Sequence, residues 1–223
     1  MQKNFAQADY AATARQAAAE GAVLLRNYRH ALPLEEGCRV AVFGRNQLHY
    51  YRCGIGSGGM VNSAYVVSIL DALKADSDIV LNQAVLSAYE AWHEAHPLEG
   101  CNEWGEEPWS QAEMPLPEAL VQQAAKTSDA ALICIGRTAG EDHDSSAAPG
   151  SFLLTEEEER TIRLVCRYFP RSIVVLNTAG IIDMTWVKRC NPAAILYVWH
   201  GGQEGGNGAA DVLTGRVNPC GKL

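Results

Sequence analysis

Residues 130–144 read Ala130-Ala-Leu-Ile-Cys-Ile-Gly-Arg-Thr-Ala-Gly-Glu-Asp-His-Asp144. An apolar run of strand length, Ala130 to Ile135, stops at a glycine and gives way to a polar loop carrying Glu141, Asp142 and Asp144. A continuous hydrophobic run marks a parallel strand buried on both faces. In open α/β sheets, ligands collect just beyond the carboxyl ends of such strands, so these acids stand where chemistry is usually placed. Crowded carboxylates raise one another's pKa, which would fit one of them to hold a proton near neutral pH and act as a general acid. A solvated acidic turn is the competing reading, and the local sequence leaves both open.

The alternation continues outward from this strand in both directions. Towards the N-terminus, Tyr10 to Leu25 reads as an Ala-rich helix, Arg39 to Phe43 as a strand ending in Gly44, and Ala64 to Lys74 as a helix through Val67, Leu70 and Leu73. Ile79 to Leu81 reads as a brief strand and Val85 to His96 as a helix. His96 to Pro117, with its Pro, Gly and Trp residues, is an excursion, and Glu118 to Lys126 is the helix leading into Ala130. Towards the C-terminus, Thr155 with Glu158 three residues on forms a capping box for a helix over Glu156 to Tyr168. Ser172 to Leu176 and Ala193 to Val198 are strands; Ile182 to Lys188 and Gly206 to Thr214 are helices. Strands alternating with helices predict a doubly wound, parallel α/β sheet in a single domain. The distinctive polar and glycine-rich loops, Gly44 to Gly59, Gly136 to Gly150, Asn177 to Gly180 and His200 to Gly206, all follow strands, so they are expected to share one sheet edge.

Composition narrows the functional classes. A chain of 223 residues suffices for a substantial core. A formal net charge of -8 argues against nucleic acid and against an anionic membrane surface as partners. No apolar run is long enough to span a bilayer. The 7 cysteines are scattered with no CxxC pair, so zinc-site spacing is absent, no metal is expected, and Cys134 and Cys166 read as buried thiols. Their odd number, and the absence of a signal-peptide apolar region after Met1, predict a reducing, cytoplasmic setting.

Several motifs invite a functional reading. Gly54-Ile-Gly-Ser-Gly-Gly59 is glycine-rich enough to cradle an anion. A dinucleotide fingerprint, however, follows its strand at once and opens a helix. Here His49, Tyr50, Tyr51 and Arg52 intervene and no Gly-Lys-Ser/Thr ending follows, so a tight loop approaching another ligand is the better reading and no cofactor is expected. Tyr50, Tyr51, Trp104 and Trp109 fall in loop segments and are suited either to stacking on sugar rings or to packing over the core. His200 follows a strand, but no nucleophile with elbow spacing accompanies it. Glu204 suits the dipole of the last helix.

Taken in order, Glu20-Gly-Ala-Val-Leu-Leu-Arg-Asn27, Leu32-Pro-Leu34, Val40-Ala-Val-Phe-Gly44, Gly54-Ile-Gly-Ser-Gly58, Gly136-Arg-Thr-Ala-Gly-Glu-Asp142, Leu176-Asn-Thr178, Gly202-Gln-Glu-Gly-Gly206, Ala210-Asp-Val-Leu213 and Asn218-Pro-Cys-Gly-Lys-Leu223 resemble the second, (α/β)6-sandwich domain of glycoside hydrolase family 3, the β-glucosidase and β-xylosidase group. The resemblance covers nearly the whole chain. It implies a three-layer sandwich, with a mostly parallel sheet flanked by helices on both faces, as a single domain over residues 1–223. It also implies a retaining mechanism on a small β-glycoside substrate, in which two carboxyl groups divide the work. In the family the nucleophile is an aspartate on a separate (β/α)8 barrel, the expected partner, and the acid/base is a glutamate of this domain; the motif places that role on Glu141. Gly54, Ile55, Gly56 and Ser57 would line the leaving-group side of the sugar site, with Asp144 beside them. Asp142 and Asp144 are expected to lift the pKa of Glu141.

The chain departs from the family pattern in three places. Ser145-Ser146 stands where an arginine commonly follows the second Asp, so a salt link that orders the loop is expected to be missing. Ile55 stands where an aromatic is often found. No barrel is present, so the chain reads as a fragment or excised domain, also consistent with a parent in which the sandwich precedes the barrel. A noncatalytic sugar-binding or interface module is the competing function.

Overall fold

The computed structural model describes residues 7–59, 61–101 and 105–223, with the side chains of the first helix described from Tyr10 onward. In chain order the elements are α1 (Gln7–Gly21), β1 (Val23–Asn27), β2 (Cys38–Phe43), α2 (Ile69–Ala75), β3 (Ile79–Leu81), α3 (Gln83–Ala95) and α4 (Glu118–Thr127). They continue with β4 (Ala130–Arg137), α5 (Glu156–Tyr168), β5 (Ser172–Thr178), α6 (Trp186–Cys190), β6 (Ala194–Tyr197) and α7 (Gly205–Leu213). Among the described residues the strands form one sheet in the order β1-β6-β5-β4-β2-β3, parallel throughout except for β1.

Period-two alternation along the strands sorts the core into two layers. Val40, Val42, Leu132, Cys134, Ile173, Val175 and Leu196 face α1, α2 and α7 through Ala19, Ile69, Leu73, Ala209 and Leu213. Ala41, Phe43, Ile133, Ile135, Val174, Leu176 and Tyr197 face α3, α4, α5 and α6 through Val85, Tyr89, Val121, Ile162, Val165 and Trp186. Both faces of the sheet are thus covered by helices, the three-layer arrangement that a parallel sheet requires. Cys134 lies in this core as expected, whereas Cys166 is only part-buried.

The sheet order also fixes where a site can form. From β2 the chain moves outward to β3, then returns past β2 to β4 and proceeds the other way to β5 and β6. The direction reverses between the neighbours β2 and β4, a topological switch point at which the loops leaving adjacent strands part and leave a crevice.

Three boundaries differ most from the sequence reading. The first helix ends at Gly21, and Val23 to Leu25 instead belong to an antiparallel edge strand, with Val23 opposite Tyr197. Here β-branched and apolar residues after a glycine favour pairing with β6 over another helical turn. The helix predicted from Ala64 begins at Ile69, because Ser68 and Asp71 form a capping box that sets its start. The helix predicted from Ile182 begins at Trp186; Asp183 instead accepts hydrogen bonds from the Thr185 N–H and hydroxyl in the preceding turn. The capping box of Thr155 and Glu158 is present as expected, with both reciprocal bonds made.

Strand β4 runs two residues past the apolar stretch, through Gly136 to a buried Arg137. Its guanidinium meets the Glu158 carboxylate in two parallel bonds of 2.6 Å and also donates to the carbonyls of Ser151, Leu153 and Gly136. One side chain therefore ties the end of the central strand, the start of α5 and the returning loop together. Breaking a buried pair by removing one partner leaves an uncompensated charge and typically costs about 3–5 kcal/mol. Arg137→Met is expected to lose stability in that range in urea unfolding. Arg137→Met with Glu158→Gln, which leaves no charge and keeps a capping oxygen, should lose less; equal losses would show that the pairing is immaterial.

Candidate active site

All four strand-end loops meet at the switch-point edge, and hydrogen bonds connect them. The loop after β2 comes back along the loop after β4: Ile55 and Gly140 form a parallel bridge, and the Ile55 N–H donates to the Ala139 carbonyl at 3.2 Å. Asn177, at the end of β5, accepts from the Tyr51 N–H at 2.8 Å and donates to the carbonyls of Tyr51 and Trp199 at 2.9 and 2.6 Å. The Gly202 N–H donates to the Arg52 carbonyl at 2.9 Å, and the His200 ring nitrogen Nε2 lies 2.8 Å from the Arg137 carbonyl. That carbonyl can only accept, so His200 is held as a donor, and burial keeps its imidazole below its usual pKa range. His200 is therefore a fixed strut of the edge, in agreement with the lack of a nearby elbow nucleophile.

Glu141 stands at the tip of this edge. The backbone reverses over Gly140 to His143 through paired bonds of 3.0 and 3.2 Å, with Asp142 in the left-handed region at φ 61°. The Glu141 side chain is exposed, and its Oε2 accepts from the Ser57 N–H at 2.9 Å. This approach requires a residue without a side chain at position 56: Gly56 has φ +82°, and a Cβ there would stand 2.5 Å from the Glu141 Cβ. The structure thus brings Gly56 and Ser57 against Glu141, and Gly54 and Ile55 against Ala139 and Gly140 just before it.

The expected upward shift of the Glu141 pKa is corrected. The Ser57 hydroxyl and N–H hold its carboxyl below the ordinary carboxylate range, because donors to the charged form favour it. Asp142 and Asp144 are not among the groups that move it. Asp144 is exposed, and its backbone carbonyl, not its carboxylate, anchors the loop by accepting from Trp109 Nε1 at 3.0 Å.

Trp109 also packs edge-on against His143 at 4.8 Å, and its carbonyl accepts from the Thr138 N–H, so it braces the acidic loop. Tyr51 is buried, while Tyr50 packs against the core and its hydroxyl accepts from the Gly201 N–H at 3.1 Å. These tyrosines take the packing reading. Trp104 lies outside the described residues. Glu204 is buried, accepting from Tyr65 and Asn207. The missing arginine after Asp144 does not leave the loop unanchored: Arg137 grips the Ser151 and Leu153 carbonyls, and the Ser146 N–H donates to the Ser151 hydroxyl at 2.9 Å. Sequence reasoning passed over Arg137, Asn177 and Glu113. For Arg137 the available signal was a cation two residues beyond an apolar strand with a helix-capping glutamate downstream.

Glu113, on the excursion, is the most perturbed carboxyl near this edge. Its oxygens accept from the Arg45 and Met114 N–H groups at 2.8 Å, at a small polar cavity of about 20 Å³ that Asn46, Tyr51 and Glu158 also line. Burial pushes its pKa up to about 7 against the pull of those donors. A larger open cleft of about 520 Å³ is lined by Gly54, Ile55 and Gly56 together with His49, Tyr50, Ser68 and Asp71. Glu141 is not among the residues lining either space.

Comparison with known proteins gives a consistent picture. Residues 22–223 match the model for the glycosyl hydrolase family 3 C-terminal domain. A beta-glucosidase of Ruminococcus albus is 48% identical over 215 residues, covering 96% of this chain and 22% of that enzyme. Beta-glucosidase A of Butyrivibrio fibrisolvens is 34% identical over 232 residues, covering 93% of this chain and 27% of that enzyme. In structure, a beta-glucosidase from Paenibacillus barengoltzii superposes with a TM-score of 0.91 at 44% identity over 94% of this chain and 23% of that one. Beta-glucosidase 3B of Thermotoga neapolitana, in complex with glucose, superposes with a TM-score of 0.85 at 34% identity over 97% of this chain and 30% of that one. The chain thus spans less than a third of the length of these relatives.

Two measurements check this geometry. Gly56→Ala should push the Ser57 N–H away from Glu141 and move the Glu141 titration, followed by carboxyl NMR, up towards an ordinary glutamate; an unchanged midpoint would overturn the contact. Between the ordinary glutamate value of 4.5 and about 7, Glu113 binds more proton when folded than when unfolded, so stability should fall as pH rises through that window, by about 3 kcal/mol in all. Glu113→Gln should remove that part of the pH dependence in urea unfolding.

Proposed function

Because the chain belongs to glycoside hydrolase family 3, as its C-terminal domain, we propose that it is the acid/base half of a retaining β-glucosidase acting on small β-linked glucosides. Glu141 is the proton donor and acceptor in this reading. The nucleophile is an aspartate on the (β/α)8 barrel of the parent protein, as the family resemblance implies. Gly54, Ile55, Gly56 and Ser57 contribute the leaving-group side of the sugar site, with Asp144 beside them. The observation that carries the reading is the exposed Glu141 carboxyl, held by Ser57 at the rim where the loops of β2 and β4 meet.

The chemistry follows from that placement. In a retaining enzyme the two carboxyl groups stand about 5–5.5 Å apart. Glu141 first gives its proton to the departing glycosidic oxygen while the barrel carboxylate takes the anomeric carbon. It then removes a proton from the water that releases the sugar. For the first step Glu141 must carry a proton, yet Ser57 favours its ionised form in this domain. A barrel carboxylate brought close to it would oppose ionisation and raise its pKa, since like charges at short range disfavour one another.

That downward shift also favours a second reading, in which Glu141 is only a clasp for the glycine loop and the domain is a noncatalytic sugar-binding or interface module. Leaving-group dependence separates the two. By itself the chain should show little or no turnover of an aryl β-glucoside, because half of the carboxyl pair is absent. In the parent enzyme, Glu141→Gln should lower kcat/KM, which reports the bond-breaking first step, by about 10²–10⁴-fold for alkyl glucosides and far less for activated aryl glucosides, since an acidic leaving group needs no proton. Equal slowing of both substrate types would favour the clasp.

A further inference from the structure

The loop after β2 brings His49 to Cys101 and Glu107, which lie six residues apart on the excursion. His49 Nε2 lies 2.8 Å from Glu107 Oε1, Cys101 Sγ lies 3.3 Å from the same oxygen, and Cys101 Sγ lies 3.9 Å from His49 Nε2. All three donor atoms fall within 4.8 Å of one another. A tetrahedral zinc site with metal–ligand distances of about 2.0–2.3 Å places its donors about 3.3–3.7 Å apart. The observed triangle straddles that size: the nitrogen and oxygen need to part by about half an ångström, and the sulfur needs to close slightly on the nitrogen.

Three further observations point the same way. Each of the three residues lines the 520 Å³ cleft, which offers an entry path and room for a fourth ligand. The side chains of His49 and Glu107 are otherwise largely enclosed, at 21% and 14% exposure, so the donors are held rather than free. His49 is steadied by the Tyr51 ring, edge-on at 4.8 Å, and Cys101 is approached by Gln111 Nε2 at 3.5 Å, so groups behind the donors fix their positions. A nitrogen, a sulfur and a carboxylate oxygen form the mixed set that suits Zn²⁺; Ca²⁺ and Mg²⁺ favour all-oxygen surroundings.

We propose that His49, Cys101 and Glu107 form a binding site for a single Zn²⁺ ion, with a fourth position open to the cleft. On binding, the thiol proton leaves to solvent, the hydrogen that His49 Nε2 shares with Glu107 passes to Nδ1 or to solvent, the thiolate and the freed Nε2 coordinate the ion, and the Glu107 carboxylate exchanges its hydrogen bonds for a metal bond. The ion would staple the excursion to the loop after β2. Those segments flank the acidic loop: His143 Nδ1 lies 3.2 Å from the Gly105 carbonyl, and Trp109 holds the Asp144 carbonyl. The proposal stands independently of the glycosidase reading, because its readout is metal uptake.

The test uses the metal-free 223-residue chain, titrated with Co²⁺ as a spectroscopic probe and with Zn²⁺ in competition. One equivalent of Co²⁺ should give a thiolate-to-cobalt charge-transfer band, displaced by Zn²⁺. Cys101→Ser should abolish the band and weaken Zn²⁺ binding at least ~10-fold, the lower bound set by what losing even an outer support costs. Glu107→Gln, which keeps the side chain's shape, should weaken binding similarly with an unchanged circular dichroism spectrum, and it carries the test if the serine variant misfolds. Cys220→Ser, at an exposed thiol elsewhere, should change nothing. No charge-transfer band, or a band that survives Cys101→Ser or depends on Cys220, would overturn the site and leave only a hydrogen-bonded trio.

Discussion

At the carboxyl end of the central strand, the guanidinium of Arg137 and the carboxylate of Glu158 meet out of water, each 6% exposed, and the loops of the candidate site are arranged around them. Energy is a poor account of why such a pair exists, since apolar residues of similar volume often stabilise a core as well or better. Position is a better one. The same guanidinium donates to the Ser151 and Leu153 carbonyls, and the Arg137 carbonyl takes the His200 ring. A methionine would fill the volume but grip none of these groups. The loop from 138 to 153 leaves the sheet and returns to α5 beside this pair, so the ends of the loop that carries Glu141 are set here.

The elements that sequence reveals best here are those whose evidence is local. Ala130 to Ile135 is apolar without interruption because both faces of β4 are covered, and Thr155 with Glu158 signals a helix start within four residues. The glycines at 54, 56 and 140 mark a close approach of two backbones, and Ile55 and Gly140 do pair. The acidic loop was legible for the same reason, just beyond a strand end; the choice of Glu141 among its three acids came from the family resemblance. Val23 to Leu25 was not, because an edge strand following a helix is decided by its partner β6, 170 residues away, and not by its own pattern. Arg137 was hidden because a glycine and a charged residue normally end a strand; only the distant Glu158 makes a buried arginine tolerable there.

Electrostatics was harder to read than placement. Three acids in four residues suggest mutual repulsion, yet they sit on a tight reversal whose tip points its carboxyls into water, where high dielectric dilutes their interaction. What moves Glu141 is a pair of donors on Ser57, 84 residues earlier in the chain. Glu113 shows the converse: an unremarkable glutamate in a Pro-flanked loop becomes the most perturbed carboxyl near the site because the fold encloses it. In both cases the deciding influence comes from the tertiary fold and not from adjacent residues: two donors for Glu141, burial for Glu113. The same holds for His49, Cys101 and Glu107, whose separations in sequence match no metal motif.

On the proposed reading, Glu141 belongs to an active site divided between this domain and a barrel. A carboxyl that must donate a proton gains from an environment that keeps it protonated, and this domain supplies the reverse for Glu141: open solvent and two donors from Ser57. Holding the group ionised while it stands apart from its counterpart fixes its direction through charge-assisted hydrogen bonds, which are stronger and shorter than neutral ones. In that proposal the opposing influence arrives with the barrel carboxylate, when the two surfaces close around a sugar. On this argument the acid/base pKa belongs to the junction rather than to either half. Arg137, Asn177 and His200 fix the loops of this edge, so the proposed junction would receive a side chain that is already oriented.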